Sequence, residues 1–246
     1  MEVHSHTHTP RKKWSHYFWE FLMLFLAVFC GFLAENFREH QVEHRQEKEF
    51  IKSMITDLQD DTAILETSMS GIKAGAVLLD SLITILDDKN LIKERGDQLY
   101  YFGRGGPRLG TLSNNNRTFE QLKNSGGFRL IRNSEVSNKI MDYYNSIPKI
   151  RQLEDLFTKE FEEYKIVASK IFEPGVFRMM ETEYAQVNRG TTNPLLRSYN
   201  PELLKELSVF AVYMNGSRKG LLMFEESLLN KGTALIAILK KEYHLE

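Results

Sequence analysis

Thiol chemistry is almost absent from this chain of 246 residues, whose only cysteine is Cys30. Because Cys30 lies inside an apolar run, the rest of the chain has no thiol for a disulfide, a zinc finger or a cysteine nucleophile. An excess of one charge is missing too, with 32 Lys and Arg against 33 Asp and Glu. That balance leaves no basic field to hold a polyanion and argues against a nucleic-acid partner. Sustained apolar-polar alternation is found nowhere along the chain, which argues against a sheet-based core. Neither a G-x-x-x-x-G-K-[ST] loop nor a G-x-S-x-G turn occurs, so no phosphate-cradling loop of that type and no nucleophile elbow is available. The sequence assigns no catalytic residue and no cofactor.

What the chain does have is one stretch suited to lipid. From Phe21 to Ala34 no side chain is charged. At roughly 1.5 Å of rise per helical residue, residues 14–34 match the ~30 Å hydrocarbon thickness of a bilayer. Arg11, Lys12 and Lys13 precede this run, and Trp14, Tyr17 and Trp19 open it. That order is a basic cytoplasmic anchor followed by an interfacial aromatic belt. A cleaved signal would want small residues at positions −3 and −1, yet Phe32 precedes Ala34 and Phe29 precedes Gly31. The reading is an uncleaved signal anchor, with a cleaved leader and a buried or interfacial helix as the rivals. Positive charges tie on the two sides of the span, and the adjacency of Arg11, Lys12 and Lys13 places the N-terminus in the cytoplasm and the domain outside. Within the span, Glu20 lies close enough to the basic triplet and to His16 to sit at headgroup depth. In the tail, His4, His6 and His8 alternate, a spacing open to a soft metal ion but equally that of a short solvated tail.

Past the membrane, residues 35–61 contain neither Gly nor Pro, which predicts that the helix continues as a stalk. An aliphatic residue then recurs every seven positions at Ile51, Leu58, Leu65, Ile72, Leu79 and Leu86, the spacing of a helix packed along another at a shallow angle. Gly71 and Gly75 mark a candidate break. Residues 96–116 read as a long loop by their Gly, Arg and Asn content. Thr118 to Gln121 has capping-box form, and Gly126-Gly127 a helix stop. A second long helix is expected after Asn133 or Ser134, kinked or broken at Pro148. A polar connection should follow it, and a third helix should start at Asn200-Pro201-Glu202. The expected fold is all-α, one N-terminal transmembrane helix followed by a bundle of three or four long helices. Its parts are a cytoplasmic tail over 1–13, a span over 14–34, and a helical domain with a membrane-proximal stalk over 35–246.

Three stretches could carry chemistry. His40, Glu43 and His44 match H-x-x-E-H, in which two histidines one turn apart hold zinc and the glutamate acts as base. Here the motif sits in a charged juxtamembrane helix with no third ligand in view, so it is a weak metal candidate. The run from Gly103 to Gly110 could cradle an anion with its amides and its two arginines, or be a plain loop. Asp57, Asp60 and Asp61 have no histidine partners on the same face and read as a solvated surface.

The run His6–Glu39 (HTHTPRKKWSHYFWEFLMLFLAVFCGFLAENFRE), with Phe119–Ile131 (FEQLKNSGGFRLI) and Asp142-Tyr143-Tyr144, resembles a family of uncharacterised single-pass membrane proteins of Bacteroidota-type bacteria. The resemblance implies an inner-membrane protein with one N-terminal span and a helical domain, and it carries over no catalytic residue. Two classes of function follow. The first is a non-enzymatic anchored domain for sensing, scaffolding or assembly at the envelope, with the bilayer and an envelope protein as partners. The second is an anchored metal-dependent protein or hydrolase that uses His40, Glu43 and His44. Ala27, Gly31 and Ala34 form a small-residue stripe through which two copies of the span could approach closely, which makes a homo-oligomer the expected assembly.

Overall fold

Residues 13–182 and 187–245 are described by a computed structural model of the chain. Arg11, Lys12 and the tail histidines His4, His6 and His8 lie outside these residues. The chain divides into two units, Met1–Phe50 and Ile51–Glu246. Helix α1 (Trp14–Asp87) begins in the first and ends in the second. It is long and apolar enough near the N-terminus to cross a membrane, and none of its apolar window is buried in protein.

In the first unit the apolar side chains point outward on every side of α1. Trp14 is 82% exposed, Phe21 65% and Phe32 67%. Phe21, Phe25 and Phe29 recur at i, i+4 and their rings stack at 6.3 and 5.9 Å between centroids, as neighbours on one helix face must. Past the apolar run the surface turns charged, and Glu35 takes both ends of the Arg38 guanidinium, at 2.6 and 3.0 Å.

The second unit is built on three long helices: α1 from Ile51 onward, α5 (Ser134–Ile171) and α7 (Pro201–Glu242). Each puts a stripe at three- and four-residue spacing into the core, the pattern a bundle helix needs. All six heptad aliphatics of α1, from Ile51 to Leu86, are buried. In α7 the buried series is Leu204, Leu207, Ala211, Met214, Arg218, Leu221, Glu225, Leu228, Gly232, Leu235 and Leu239. Contacts along the two helices run in opposite order: Gly232 lies against Thr62, Glu225 bonds Ser68, Gly75 faces Arg218 and Asn215 bonds Asp80. Helices α1 and α7 are therefore antiparallel. So are α5 and α7, where Glu160 bonds Ser217, Ser146 bonds Lys231 and Asn133 bonds Glu242. It follows that α1 and α5 run in the same direction, and the chain between them must return along the bundle.

Short elements make that return: α2 (Leu91–Glu94), α3 (Gly96–Gly105), an extended strap over 106–116, α4 (Arg117–Asn124) and a 3-10 turn, Gly127–Leu130. A last short helix, α6 (Pro174–Met179), lies between α5 and α7. Caps set the helix starts: the Asn133 side chain accepts from the amides of Glu135 and Val136, and that of Asn200 from Glu202. Pro201 then occupies the first turn of α7, where its missing N–H costs nothing. Gly126, at φ 68°, takes the left-handed conformation after α4, which glycine adopts without strain.

Several expectations are corrected. Gly71 and Gly75 do not break α1, which is continuous through Asp87, and Pro148 lies inside an unbroken α5. The first half of the supposed loop over 96–116 is α3, held by burial of Leu99 and Tyr100 despite its poor helix formers. Tyr100 meets Phe172 at 5.0 Å and Phe177 at 5.5 Å between ring centroids, and its hydroxyl donates to Leu195 O at 3.0 Å. The connection after α5 is not merely polar, since it includes α6.

Gly96 is the tightest joint of this end. Its amide donates to Asn193 Oδ1 at 2.5 Å, and a Cβ placed on it would overlap the carbonyl oxygen of Pro194. Backbone cannot rotate away as a side-chain tip can, so Gly96→Ala should destabilise the protein by roughly 1–3 kcal/mol. Gly110→Ala, whose Cβ would meet nothing within 4 Å, should be close to neutral. Paired thermal melts of the full chain check both, and equal effects would contradict the packing described.

Candidate functional site

The strap over 106–116 lies along the bundle with neither helix nor sheet to satisfy its backbone. Buried charged side chains take that role. From α7, Arg218 Nη2 donates to Gly106 O at 2.7 Å and also to Arg108 O. From α5, Glu154 accepts from the Leu112 amide at 2.5 Å, while Arg151 donates to Asn114 Oδ1 at 3.0 Å. From α1, Asp61 accepts from the Asn115 amide at 2.5 Å and from the Tyr143 hydroxyl at 3.0 Å. Asp57 takes the Thr118 amide at 3.0 Å and Arg117 Nη2 at 3.1 Å.

This overturns the reading of Asp57 and Asp61 as solvated, since they are 2% and 1% exposed. It also replaces the capping box proposed at Thr118. The first turn of α4 is capped by a carboxylate from a distant helix, whose negative charge suits the positive end of the α4 dipole. The glycine-rich run at 103–110 has the reverse of the expected polarity, because it turns carbonyls toward a buried cation. Arg104 of that run instead bonds Glu181 at 3.0 Å and lies over the Phe177 ring at 5.2 Å.

Arg218 is the largest fully buried side chain among the described residues, at 1% exposure. Its guanidinium lies over the Phe157 ring, 4.9 Å from the centroid. It fits because the facing residue is Gly75, where a Cβ would overlap it. No carboxylate forms an ion pair with it among the described residues, and its Nε has no partner. Burial pulls its pKa down to about 10. Glu225, two turns further along α7, is equally buried and bonds the Ser68 hydroxyl at 3.0 Å through one oxygen, leaving the other unpartnered. Burial pushes Glu225 up to about 7, with Glu154 adding to the rise and Ser68 opposing it. Burial also raises Asp61 to about 6, against the pull of its bonds from Asn115 and Tyr143.

Between the strap and α1 a cavity of about 570 Å³ opens over Arg218. A second hollow of about 490 Å³ adjoins it, sharing Ala63, Ile64 and Ser113 and adding Asp60. Counting threes and fours along α7 would have put Arg218 and Glu225 on the buried stripe. The cavity had no such signal, because the strap and α1 meet only through tertiary contacts.

The sequence candidates for metal lie elsewhere. His40 Nδ1 is 3.6 Å from Glu43 Oε2, and His44 Nδ1 is 3.3 Å from Glu47 Oε2. Each histidine thus faces a glutamate one turn on in its own helix. No group of three or more metal-ligating side chains is assembled among the described residues. Of the proposed anchor residues, Lys13 immediately precedes α1, and Trp14, Tyr17 and Trp19 are exposed on it. No protein-family model, curated protein or solved structure matches this chain.

Because the folded state binds the Glu225 proton more tightly than the unfolded chain does, its contribution to stability is complete below the ordinary carboxylate range. It is lost as pH rises through about 7. Glu225→Gln keeps an acceptor for Ser68 and removes the titration. The difference in melting temperature between Glu225→Gln and wild type should therefore shift in favour of the variant, by a few degrees, between about pH 5 and about pH 7.5. A difference that stays constant over that range would contradict the assignment.

Proposed function

We propose that the chain is a single-pass protein of a bacterial inner membrane, with its N-terminus cytoplasmic and its helical domain in the periplasm. The domain binds or scaffolds and does not catalyse. The observation that carries the reading is the exposed apolar segment at the head of α1. Covering one large apolar side chain stabilises by about 1.5–3 kcal/mol, and the series from Phe18 to Leu33 is left exposed by the rest of the described residues. A bilayer is the environment that covers such a helix on all sides. The basic residues Arg11, Lys12 and Lys13 set the orientation.

A binding role for the domain is supported by how its buried charges are used. Asp61, Glu154 and Arg218 are each engaged with the backbone of the strap, and Asp57 with the first turn of α4. Such groups shape a surface and are not poised as a nucleophile and its base.

Topology is tested by a phosphatase that is active only outside the cytoplasm, fused after Glu246 and expressed with the full chain. Activity in whole cells, with the fusion retained in membranes after an alkaline carbonate wash, is the expected result. An expressed but inactive fusion would reverse the orientation, and release by carbonate would remove the span.

A further inference from the structure

The cavity over Arg218 combines three features that need a common explanation. The first is a guanidinium that is 1% exposed and has no carboxylate partner among the described residues. Its carbonyl bonds satisfy part of it, but they supply no opposite charge, and an uncompensated buried ion costs several kcal/mol. The second is the lining: Arg108 and Arg218 with the hydroxyls of Thr67, Ser68 and Thr111, and no acidic side chain. Apolar walls come from Ile64, Ile72 and Leu109. The third is that the space is kept open by the absence of side chains. Gly75 leaves room for the guanidinium, and Gly71 lines the cavity at a point where a Cβ would meet nothing within 4 Å.

We propose that this cavity binds an organic carboxylate with an apolar body, its carboxylate against Arg218 and its hydrocarbon part against Ile64, Ile72 and Leu109. A volume of about 570 Å³ lies within the ~300–1,000 Å³ of small-molecule sites. Arg suits the task because its planar fork matches a carboxylate and is weakly hydrated. The apolar walls disfavour a small, strongly hydrated anion such as phosphate. The cavity opens to solvent, since Ala63, Thr67, Gly71, Gly110 and Thr111 at the rim are exposed, and contact with the Arg218 guanidinium, 1% exposed, requires a local shift of the strap. The inference rests on reading the domain as one that binds without catalysing, and it gives that domain a class of ligand.

The test uses the full chain in nanodiscs, with hexanoate as probe, hexanamide as its neutral counterpart and inorganic phosphate as the small anion, followed by calorimetry and ligand-observed NMR. Hexanoate should bind saturably at one site, and hexanamide at least about tenfold more weakly, the effect of losing one charge-assisted contact. Phosphate should not displace it. Arg218→Met should weaken hexanoate at least about tenfold. Because Arg218 also holds the strap, Gly71→Leu is the second variant: it fills the cavity from α1, touches none of the Arg218 bonds, and should abolish binding while the melting temperature is kept. Equal affinity for acid and amide, preference for phosphate, no binding of hexanoate at about 10 mM, or full binding by folded Gly71→Leu would each overturn the proposal. Recovery of chemically altered hexanoate would instead sink the non-catalytic reading and leave the site standing.

Discussion

An extended segment laid against helices has backbone amides and carbonyls that nothing in its own conformation can satisfy. Residues 106–116 are such a segment, and the rest of the helical domain is arranged around supplying their partners. Carboxylates and a guanidinium are stronger partners for a backbone dipole than neutral side chains are. Each of the three long helices provides one: Asp61 from α1, Glu154 from α5 and Arg218 from α7. Buried charges usually weaken a core unless they are paired. Here Asp57 and Glu154 are paired with Arg117 and Arg151, Asp61 and Arg218 are held by hydrogen bonds, and a partner removed from one side would strand a charged group on the other.

The same requirement shapes the seam between α1 and α7. A heptad seam packed only with aliphatics would close fully and leave no space beside the strap. Instead large and small residues alternate across it, with Gly75 opposite Arg218 and Ser68 opposite Glu225. Outside these layers the seam returns to Leu58, Leu65, Leu79 and Leu228, and between them lie Ile72 and Leu221, all buried. Stability comes from the aliphatic layers, and the polar layers interleaved with them hold the strap and leave the cavity open.

How much of this was legible in the sequence follows from how local each signal is. The apolar segment at the head of α1, the heptad spacing of α1 and the caps at Asn133 and Asn200 depend on neighbours within a few residues, and the helices follow them. Helix α3 was hidden because GDQLYYFGRG has weak intrinsic propensity and is helical only through the burial of Leu99 and Tyr100. Asp57 and Asp61 looked solvated because the amides they accept from are 61 and 54 residues away. Arg218 and Glu225 fall on the buried stripe of α7 by simple counting, yet a polar residue on a predicted core face does not announce its partner. His40, Glu43 and His44 lie on one helix, as their spacing implied, with His40 facing Glu43 and His44 facing Glu47.

The central claim, that the strap and the first turn of α4 are fixed by buried charges, is tested most directly by native-state hydrogen exchange of the full chain, read at the amides of Leu112, Asn115 and Thr118. These three donate to Glu154, Asp61 and Asp57. The account predicts protection approaching that of core amides in α5 and α7, with exchange requiring large-scale opening. Exchange at rates typical of an open loop, while α5 and α7 stay protected, would contradict it.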